Sequence, residues 1–461
     1  MADKELIYPG QSVCILGLGV TGKAAVRYCL ARGAKVRVSD ARSEERFLLD
    51  ESQFIQEHAL EWEAGGHSFD FIVQSKVLLP SPGVDLRGPL YASLRQVGVV
   101  IAGELAVVAH EFNVPVVAVT GTNGKTTVTT LIGEVLAANG KKVFVGGNIG
   151  TPLYEYCLAS DSYDVVVVEV SSFQLEASGD FAPDIAILLN VTPDHLDRHE
   201  SMAGYIAAKE MVFSKQSVGQ LAVINGDDPY CGQVVVPKGV KVERFSTSDD
   251  CSLQITDRMF RLATDTGNRE DFLYEFADSG GFAAYNFAAA FLALRRLGLT
   301  QPQIDKGFRL FRTLPHRLEF VAKHREVSFV NDSKATNTGA VVGALEKMPQ
   351  GVVLIAGGRG KGDDYRLLRK SVAEKVHTVV LIGETAEEIR ESLADVTVCL
   401  QAKTMEEAVS KAFAAAAAGE TVLLSPACAS FDMFNSYGHR GNVFKAAVQE
   451  LNSQRQMHGG C

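Results

Sequence analysis

A chain of 461 residues, 46% hydrophobic and 22% charged, lies in the globular range and is long enough for about three ordinary domains. Its net charge of −10, with no Lys/Arg-rich block, argues against a nucleic-acid partner but leaves small anionic ligands open, since these need only a few local cations and a metal. Eight scattered cysteines without a CxxC pair indicate neither a zinc site nor a disulfide framework. No apolar run reaches the length of a membrane span, and Met-Ala-Asp-Lys-Glu at the start carries no signal-peptide apolar region, so a cytoplasmic protein with reduced thiols is expected.

Ser12–Leu16 reads as a buried strand. Gly17-Leu18-Gly19-Val20-Thr21-Gly22 follows, then a helix-like Lys23–Arg32, a C-cap at Gly33 and a second strand, Lys35–Asp40. That is a βαβ unit with GxGxxG and an acid closing its second strand. Read literally it binds NAD. No hydride-transfer constellation accompanies it, so another nucleotide held at the same turn is the better expectation. An apolar strand at Phe71-Ile72-Val73 leads to the turn Ser81-Pro82-Gly83, at the carboxyl edge where open α/β sheets bind ligands. Val99–Ile101 closes this unit near residue 102.

A second unit opens with an amphipathic helix over Glu104–Phe112. Pro115 then introduces the strand Val116–Thr120, which stops at Gly121-Thr122-Asn123-Gly124-Lys125-Thr126-Thr127 before a helix. Strand, glycine loop and helix N-terminus together favour a bound phosphate. Lys125 can reach the terminal phosphates, and the Thr126 hydroxyl can ligate Mg²⁺. The loop departs from the common pattern, whose first glycine would fall at Val119. Lys142–Val145 and Gly146–Pro152 follow. Asp164–Val170 is an apolar strand ending at Glu169, placed to meet a metal at the phosphate loop. The buried strand Asp184–Asn190 runs into Val191-Thr192-Pro193-Asp194-His195-Leu196-Asp197-Arg198-His199, a dense polar cluster. Lys209, on a helix over Met202–Phe213, faces solvent on chemistry alone. Leu221–Asp228 is a strand and turn, 240–280 an irregular β excursion, and the Ala/Leu helix from Tyr285 to Leu297 carries Asn286 near its start.

A linker at Leu314–Arg317 introduces a third unit. Its strand Val327–Val330 ends in Asn331-Asp332-Ser333-Lys334-Ala335-Thr336-Asn337. Val352–Ala356 leads to Gly357–Gly362, and Thr378–Ile382, Val396–Leu400 and Thr421–Leu424 follow, the last ending at Ser425–Ser430. The βα alternation predicts parallel sheets with helices on both faces. Three α/β domains are expected over 1–102, 103–314 and 315–461: Rossmann-like, P-loop ATPase-like and Rossmann-like.

Taken together, G-T-N-G-K-T (121–126), the Glu169–Gln174 strand end, N-V-T-P-D-H-L-D-R-H (190–199), Lys209, His316-Arg317 and Asp332 resemble the ATP-dependent Mur ligases and their folylpolyglutamate synthetase relatives, over nearly the whole chain. N-D-S-K-A-T-N (331–337) and S-P-A-C-A-S (425–430) resemble the D-glutamate-adding branch. The resemblance implies a uridine nucleotide rather than NAD at the first turn. It implies amide-bond formation between UDP-N-acetylmuramoyl-L-alanine and D-glutamate through an acyl phosphate, in peptidoglycan precursor synthesis, by a monomer. ATP would be held by Gly121, Thr122, Asn123, Gly124, Lys125, Thr126, Thr127, Asn286, His316, Arg317 and Asp332. Two Mg²⁺ sites would use Thr126, Glu169, His195 and a Lys209 carbamylated by CO₂. Catalysis would rest on Lys125, Glu169, His195 and Lys209.

By the same resemblance Val20, Thr21, Asp40, Ala41, Arg42, Ser81 and Gly83 would hold the UDP moiety, Asp40 meeting uracil or ribose. Asn148, Ser171, Gln174 and His195 would face the muramoyl and alanyl part. Lys334, Thr336, Lys361, Ser430 and Tyr437 would meet D-glutamate; Tyr437 stands where the family pattern has phenylalanine. Three units sharing one reaction imply domain closure, with a hinge near Thr313–Pro315.

Overall fold

The computed structural model describes residues 5–47, 49–160, 162–256, 259–264, 268–273, 281–311 and 315–456. Thr313 and Leu314 of the expected hinge lie outside the described residues. The first sheet is wholly parallel: β1 (Ser12–Leu16), β2 (Lys35–Asp40), β3 (Glu61–Ala64), β4 (Val77–Pro80) and β5 (Val100–Ile101), in the order β3-β2-β1-β4-β5. Phe71-Ile72-Val73 is not its strand. Phe69–Ile72 is a helical turn whose Phe71 amide donates to the Ser68 hydroxyl at 3.3 Å, and the strand comes later, with Val77 beside Val13. A three-residue apolar run cannot by itself distinguish the two periods.

The second sheet comprises β6 (Val116–Thr120), β7 (Val143–Gly147), β8 (Val165–Glu169), β9 (Ile185–Leu188), β10 (Leu221–Asn225), β11 (Lys241–Ser246), β12 (Leu253–Ile255), β13 (Met259–Ala263) and β14 (Arg269–Leu273). Its order is β14-β13-β12-β11-β10-β9-β6-β8-β7. The strands are parallel up to β12, and β13 and β14 turn antiparallel. The valines of β6 and β8 are buried on both faces, which is why these strands read as continuous apolar runs rather than alternating ones. The helix expected over Glu104–Phe112 stops at Val108, and the one from Met202 ends at Glu210.

The third sheet holds β15 (Glu319–His324), β16 (Val327–Asn331), β17 (Val352–Gly357), β18 (Val376–Ile382), β19 (Val398–Gln401) and β20 (Thr421–Leu424), in the order β15-β16-β20-β17-β18-β19. All are parallel except the edge strand β15. Alternation along β17 and β18 divides its core into two layers. Leu354 and Val379 pack on one side with Leu345 and Leu368, and Val353, Ile355 and Val380 pack on the other with Val409 and Phe444. The chain forms two compact units. One contains the first two sheets; the other contains the third sheet together with Val191–Tyr205.

Candidate active site

The phosphate loop follows from β6. Two of its glycines take backbone that a side chain would block. At Gly121 (φ +150°) a methyl would lie 3.0 Å from Leu189 Cβ, and at Gly124 (φ +87°) it would lie 2.5 Å from Asn286 Oδ1. Asn190, at the end of the β9 segment, clamps the loop. Its carbonyl accepts from the Thr122 amide at 2.9 Å and its Oδ1 from the Asn123 amide at 2.8 Å, while its Nδ2 donates to the Asn123 carbonyl at 3.0 Å. The helix Lys125–Ala138 starts at once, so Lys125, Thr126 and Thr127 form its first turn. Lys125 Nζ folds back to the carbonyls of Gly121 (2.9 Å) and Thr122 (2.8 Å). The loop is thus shaped in advance, with an ammonium at its mouth.

β8 runs beside β6 with Glu169 opposite Val119, so its carboxylate stands at the level of the loop. Glu169 is 2% exposed. Oε1 accepts from Asn148 Nδ2 at 2.8 Å, whereas Oε2 has no hydrogen-bond partner among the described residues. An orphaned, buried carboxylate oxygen is costly unless a cation or donor meets it. Lys209 does not face solvent, as a lone helical lysine would; it is 1% exposed, and its Nζ donates to the Gly121 carbonyl at 2.9 Å. Ser171 and Gln174 close a capping box on the short helix Ser172–Leu175, the Gln174 Oε1 accepting from the Ser171 amide at 3.0 Å. Their side chains are therefore fixed close after Glu169.

In the first sheet, Gly17 (φ +84°) turns the chain after β1. Gly22 lets the following helix press on that turn, since a methyl there would lie 1.9 Å from the Gly17 carbonyl oxygen. Asp40, at the end of β2, is buried. Its carboxylate accepts from the Leu18 amide (2.8 Å), the Arg42 amide (2.9 Å) and the Arg42 guanidinium (2.9 Å). Burial opposes its charge, but the Arg42 guanidinium and the two amides win and hold its pKa at about 2. The carboxylate thus shapes the Leu18 turn and aims Arg42. Ser81 donates to the Gly17 carbonyl at 3.3 Å, and Val20, Ala41 and Gly83 are exposed along this edge.

In the other unit, His195 sits in left-handed backbone (φ +54°), with its amide donating to Asp194 Oδ1 at 3.0 Å. Asp194 also accepts from Lys361 Nζ at 3.0 Å and Asn337 Nδ2 at 2.9 Å. His316 (φ +64°) has its Nδ1 2.9 Å from Asn331 Nδ2; burial, then the Lys445 charge, lowers its pKa. Asp332 is buried and accepts from the Ser425 hydroxyl at 3.0 Å and the Leu318 amide at 3.2 Å; burial outweighs these and the Arg317 charge, raising its pKa to about 7. Lys334 Nζ lies 3.8 Å from the centroid of the half-exposed Tyr437 ring. Thr336 and the buried Ser430 lie on the two turns that follow β16 and β20. Arg440, 0% exposed, ties these turns together: its guanidinium donates to the Ser333 hydroxyl and carbonyl (3.0 and 2.9 Å) and to the carbonyls of Cys428 (3.0 Å) and Ala429 (3.2 Å). Neither Arg440 nor Asn190, Asp194 and Asn337 was assigned a role from sequence.

Three family models match in chain order: Mur ligase MurD-like, N-terminal domain over 11–103; Mur ligase middle domain over 119–294; and Mur ligase, glutamate ligase domain over 316–428. The UDP-N-acetylmuramoylalanine–D-glutamate ligase of Desulfotalea psychrophila is 47% identical over 445 residues, covering 95% of each chain, and that of Acidobacterium capsulatum is 40% identical over 95% of this chain and 96% of its own. Among solved structures, the UDP-N-acetylmuramate–alanine ligase of Thermotoga maritima matches with a TM-score of 0.59 at 18% identity (96% and 99% covered), and MurF from Acinetobacter baumannii with 0.62 at 17% (98% and 93%). At such identities these two carry the fold alone. The full-length relatives and the three models agree: the chain belongs to the Mur ligase family, in the group of the UDP-N-acetylmuramoylalanine–D-glutamate ligases.

Proposed function

We propose that the protein is an ATP-dependent, ADP-forming ligase that joins D-glutamate to UDP-N-acetylmuramoyl-L-alanine in peptidoglycan precursor synthesis. The observation that carries this reading is the combination of full-length similarity to enzymes of that name with a preformed phosphate loop bearing Lys125.

A carboxylate is a poor electrophile. On this reading its oxygen attacks the γ-phosphorus of ATP, the bond to the bridging oxygen breaks, and ADP leaves behind an acyl phosphate. The D-glutamate amine then attacks the acyl carbon, and the tetrahedral intermediate expels phosphate as the amine loses its proton. Lys125 and the amides of Gly121–Thr127 meet the phosphates of ATP, with Asn286, His316, Arg317 and Asp332 toward adenosine and its phosphates. Val20, Thr21, Asp40, Ala41, Arg42, Ser81 and Gly83 hold the UDP end, Asp40 acting by aiming Arg42. Asn148, Ser171, Gln174 and His195 line the muramoyl-alanyl part. Lys334, Thr336, Lys361, Ser430 and Tyr437 receive D-glutamate.

The unpartnered, buried Glu169 Oε2 fits a divalent cation. Thr126, Glu169, His195 and Lys209 would hold Mg²⁺ at two sites, where it would neutralise phosphate charge. A carbamate on Lys209 retains one N–H, so the bond to the Gly121 carbonyl survives while the group becomes an anionic ligand. The domains implied are 1–102, 103–314 and 315–461, acting as a cytoplasmic monomer.

The test is phosphate release from ATP and Mg²⁺ with UDP-N-acetylmuramoyl-L-alanine, with D-glutamate against L-glutamate, L-alanine and meso-diaminopimelate. Release that requires both the UDP substrate and D-glutamate is expected. Release with a different amino acid would move the acceptor assignment, and release independent of both would overturn the ligase reading.

A further inference from the structure

Asn286 reaches the phosphate loop from a helix, Gly281–Arg296, that belongs to a different stretch of chain. What fixes its first turns is a carboxylate at the carboxyl edge of the second sheet. Asp227 follows β10, and its own amide donates to Asn225 Oδ1 at 3.0 Å, which bends the chain back over the sheet edge. Its carboxylate gathers three donors. The Ser246 hydroxyl, at the end of β11, donates to Oδ1; the Thr247 amide donates to Oδ2 at 2.8 Å; and the Tyr285 hydroxyl donates to the same Oδ2 at 2.5 Å. The approach is tight: a methyl on Gly226 would lie 3.2 Å from Ser246 Cβ. The Tyr285 ring also stands edge-on to Phe245, with centroids 6.3 Å apart. Tyr285 is thereby held from two sides, and the next residue is Asn286, whose Oδ1 would meet a methyl on Gly124 at 2.5 Å.

From this geometry we infer that Asp227 and Tyr285 are positioning residues for nucleotide binding: the Asp227–Tyr285 bond sets the start of the helix so that Asn286 lies against Gly124 of the phosphate loop. The inference rests on the ATP reading of that loop. The donors that meet the Asp227 carboxylate are Ser246, Thr247 and Tyr285 rather than the phosphate loop, so it acts through its neighbour. Its carboxylate suits the task because a charge-assisted bond is short and directional, and three donors fix its orientation. The phenol of Tyr285 is the only one of the three that carries the tie into the helix. Burial and then hydrogen bonding to Asp227 raise the Tyr285 pKa, so the phenol stays protonated and remains the donor across the working pH range.

The test uses the full-length protein and equilibrium binding of ATP, with steady-state KM values for all three substrates. Tyr285→Phe removes one oxygen and leaves the ring packing on Phe245. It is expected to weaken ATP binding by about fivefold, the scale of one lost hydrogen bond, with KM for D-glutamate and for the UDP substrate within about twofold of wild type and the melting temperature lowered by no more than a few degrees. Asp227→Asn, which can still accept from the phenol, is expected to fall between wild type and Tyr285→Phe. The decisive comparison is with Asn286→Ala. If Tyr285 acts through Asn286, Tyr285→Phe adds nothing further on top of Asn286→Ala. Unchanged ATP affinity in Tyr285→Phe, or fully additive losses in the double variant, would overturn the inference while leaving the nucleotide reading standing. A wild-type protein that binds no ATP would overturn both.

Discussion

Lys361 Nζ lies 3.0 Å from Asp194 Oδ1, while Asn337 Nδ2 takes the other carboxylate oxygen at 2.9 Å. Asp194 is buried and Lys361 partly so, and Asp194 is the residue before His195. Burial works against the Asp194 charge, but Lys361, His195 and Asn337 outweigh it and lower the pKa. A carboxylate whose folded pKa is depressed contributes stability above the ordinary aspartate range and loses it as pH falls through the folded value. Lys361→Ala is therefore expected to lower the apparent melting temperature at pH 7, with the gap to wild type closing as the pH drops below the aspartate range. On the proposed acceptor role, the same variant raises KM for D-glutamate by at least about tenfold, the scale of one charge-assisted bond. A D-glutamate KM unchanged from wild type would remove Lys361 from the acceptor site.

Glu169 offers a cleaner separation of shape from charge. Glu169→Gln keeps an oxygen for the Asn148 amide and replaces the orphaned Oε2 with an NH₂ group. If that oxygen meets a cation, the Mg²⁺ concentration for half-maximal turnover rises and kcat falls by about 10²-fold or more, the scale of one lost electrostatic contact in a transition state. Titration of activity against Mg²⁺ decides, and a normal Mg²⁺ curve would exclude the metal role.

The proposed carbamate on Lys209 has a readout that does not depend on turnover. Protein equilibrated with ¹³C-labelled bicarbonate should give one slowly exchanging carbamate carbon signal by NMR. Lys209→Arg should lose it, because a guanidinium does not form a carbamate under these conditions. Wild-type protein without that signal would rule the modification out.

Glu104 makes a prediction away from the chemistry. It is buried and accepts from the Leu153 amide at 2.7 Å and the Tyr154 amide at 3.4 Å; burial outweighs both and raises its pKa to about 7. The folded pKa lies above the unfolded one, so the folded state binds the proton more tightly. Stability therefore falls as pH rises from the ordinary glutamate range to about 7, and the deficit persists above it. Glu104→Gln keeps the acceptor and removes the charge. It should be more stable than wild type at pH 8, by roughly 3 kcal/mol from the size of the shift. The two should melt together at pH 4, and calorimetry at both values checks this.

Tyr437 should be replaceable by phenylalanine. What it offers Lys334 is a ring face, 3.8 Å from centroid to ammonium. Tyr437→Phe is expected to change KM for D-glutamate by less than about twofold, and Tyr437→Ala to raise it by about fivefold, the scale of a cation–π contact plus lost packing. A large effect of Tyr437→Phe would mean that the hydroxyl itself reaches the ligand.

Much of this was legible in the sequence, for a local reason. A phosphate loop is a strand, a glycine turn and a helix in immediate succession, so its pattern is contained in about a dozen residues. The place of Glu169 at the end of a buried strand was legible because valines run straight into it. The first sheet was read correctly at β1 and β2, where glycines mark the turns, and wrongly at Phe71–Val73, where an apolar triplet fits a helical turn as well as a strand. Lys209 was not legible from chemistry: a lysine on a helix looks solvent-facing until the Gly121 carbonyl, 88 residues away, is brought to it. The residues that hold the site in shape were the least visible. Asn190 clamps a loop 67 residues distant, Asp194 meets Asn337 across 143, and Arg440 meets Ser333 across 107. No spacing rule encodes such pairs, because only the folded sheet edge brings them together.

Arg440 has a consequence for how this edge sees charge. All four of its acceptors are neutral oxygens, so a guanidinium is sealed beneath the turns at Ser333 and Cys428 with no hydrogen-bonded counter-ion among the described residues, the Asp432 carboxylate acting on it only through space. Desolvation lowers its pKa to about 10, which still leaves it cationic at neutral pH. The chain as a whole carries −10 and repels anions at long range, yet this floor projects a positive potential through a poorly polarisable layer. Mobile salt cannot enter that layer to damp it. On the proposed acceptor role of this edge, a dicarboxylic amino acid of net charge −1 would therefore encounter a repulsive exterior, weakened by salt, and an attractive interior that salt leaves almost untouched. Capture of the acceptor should hold up, or even improve, as ionic strength rises.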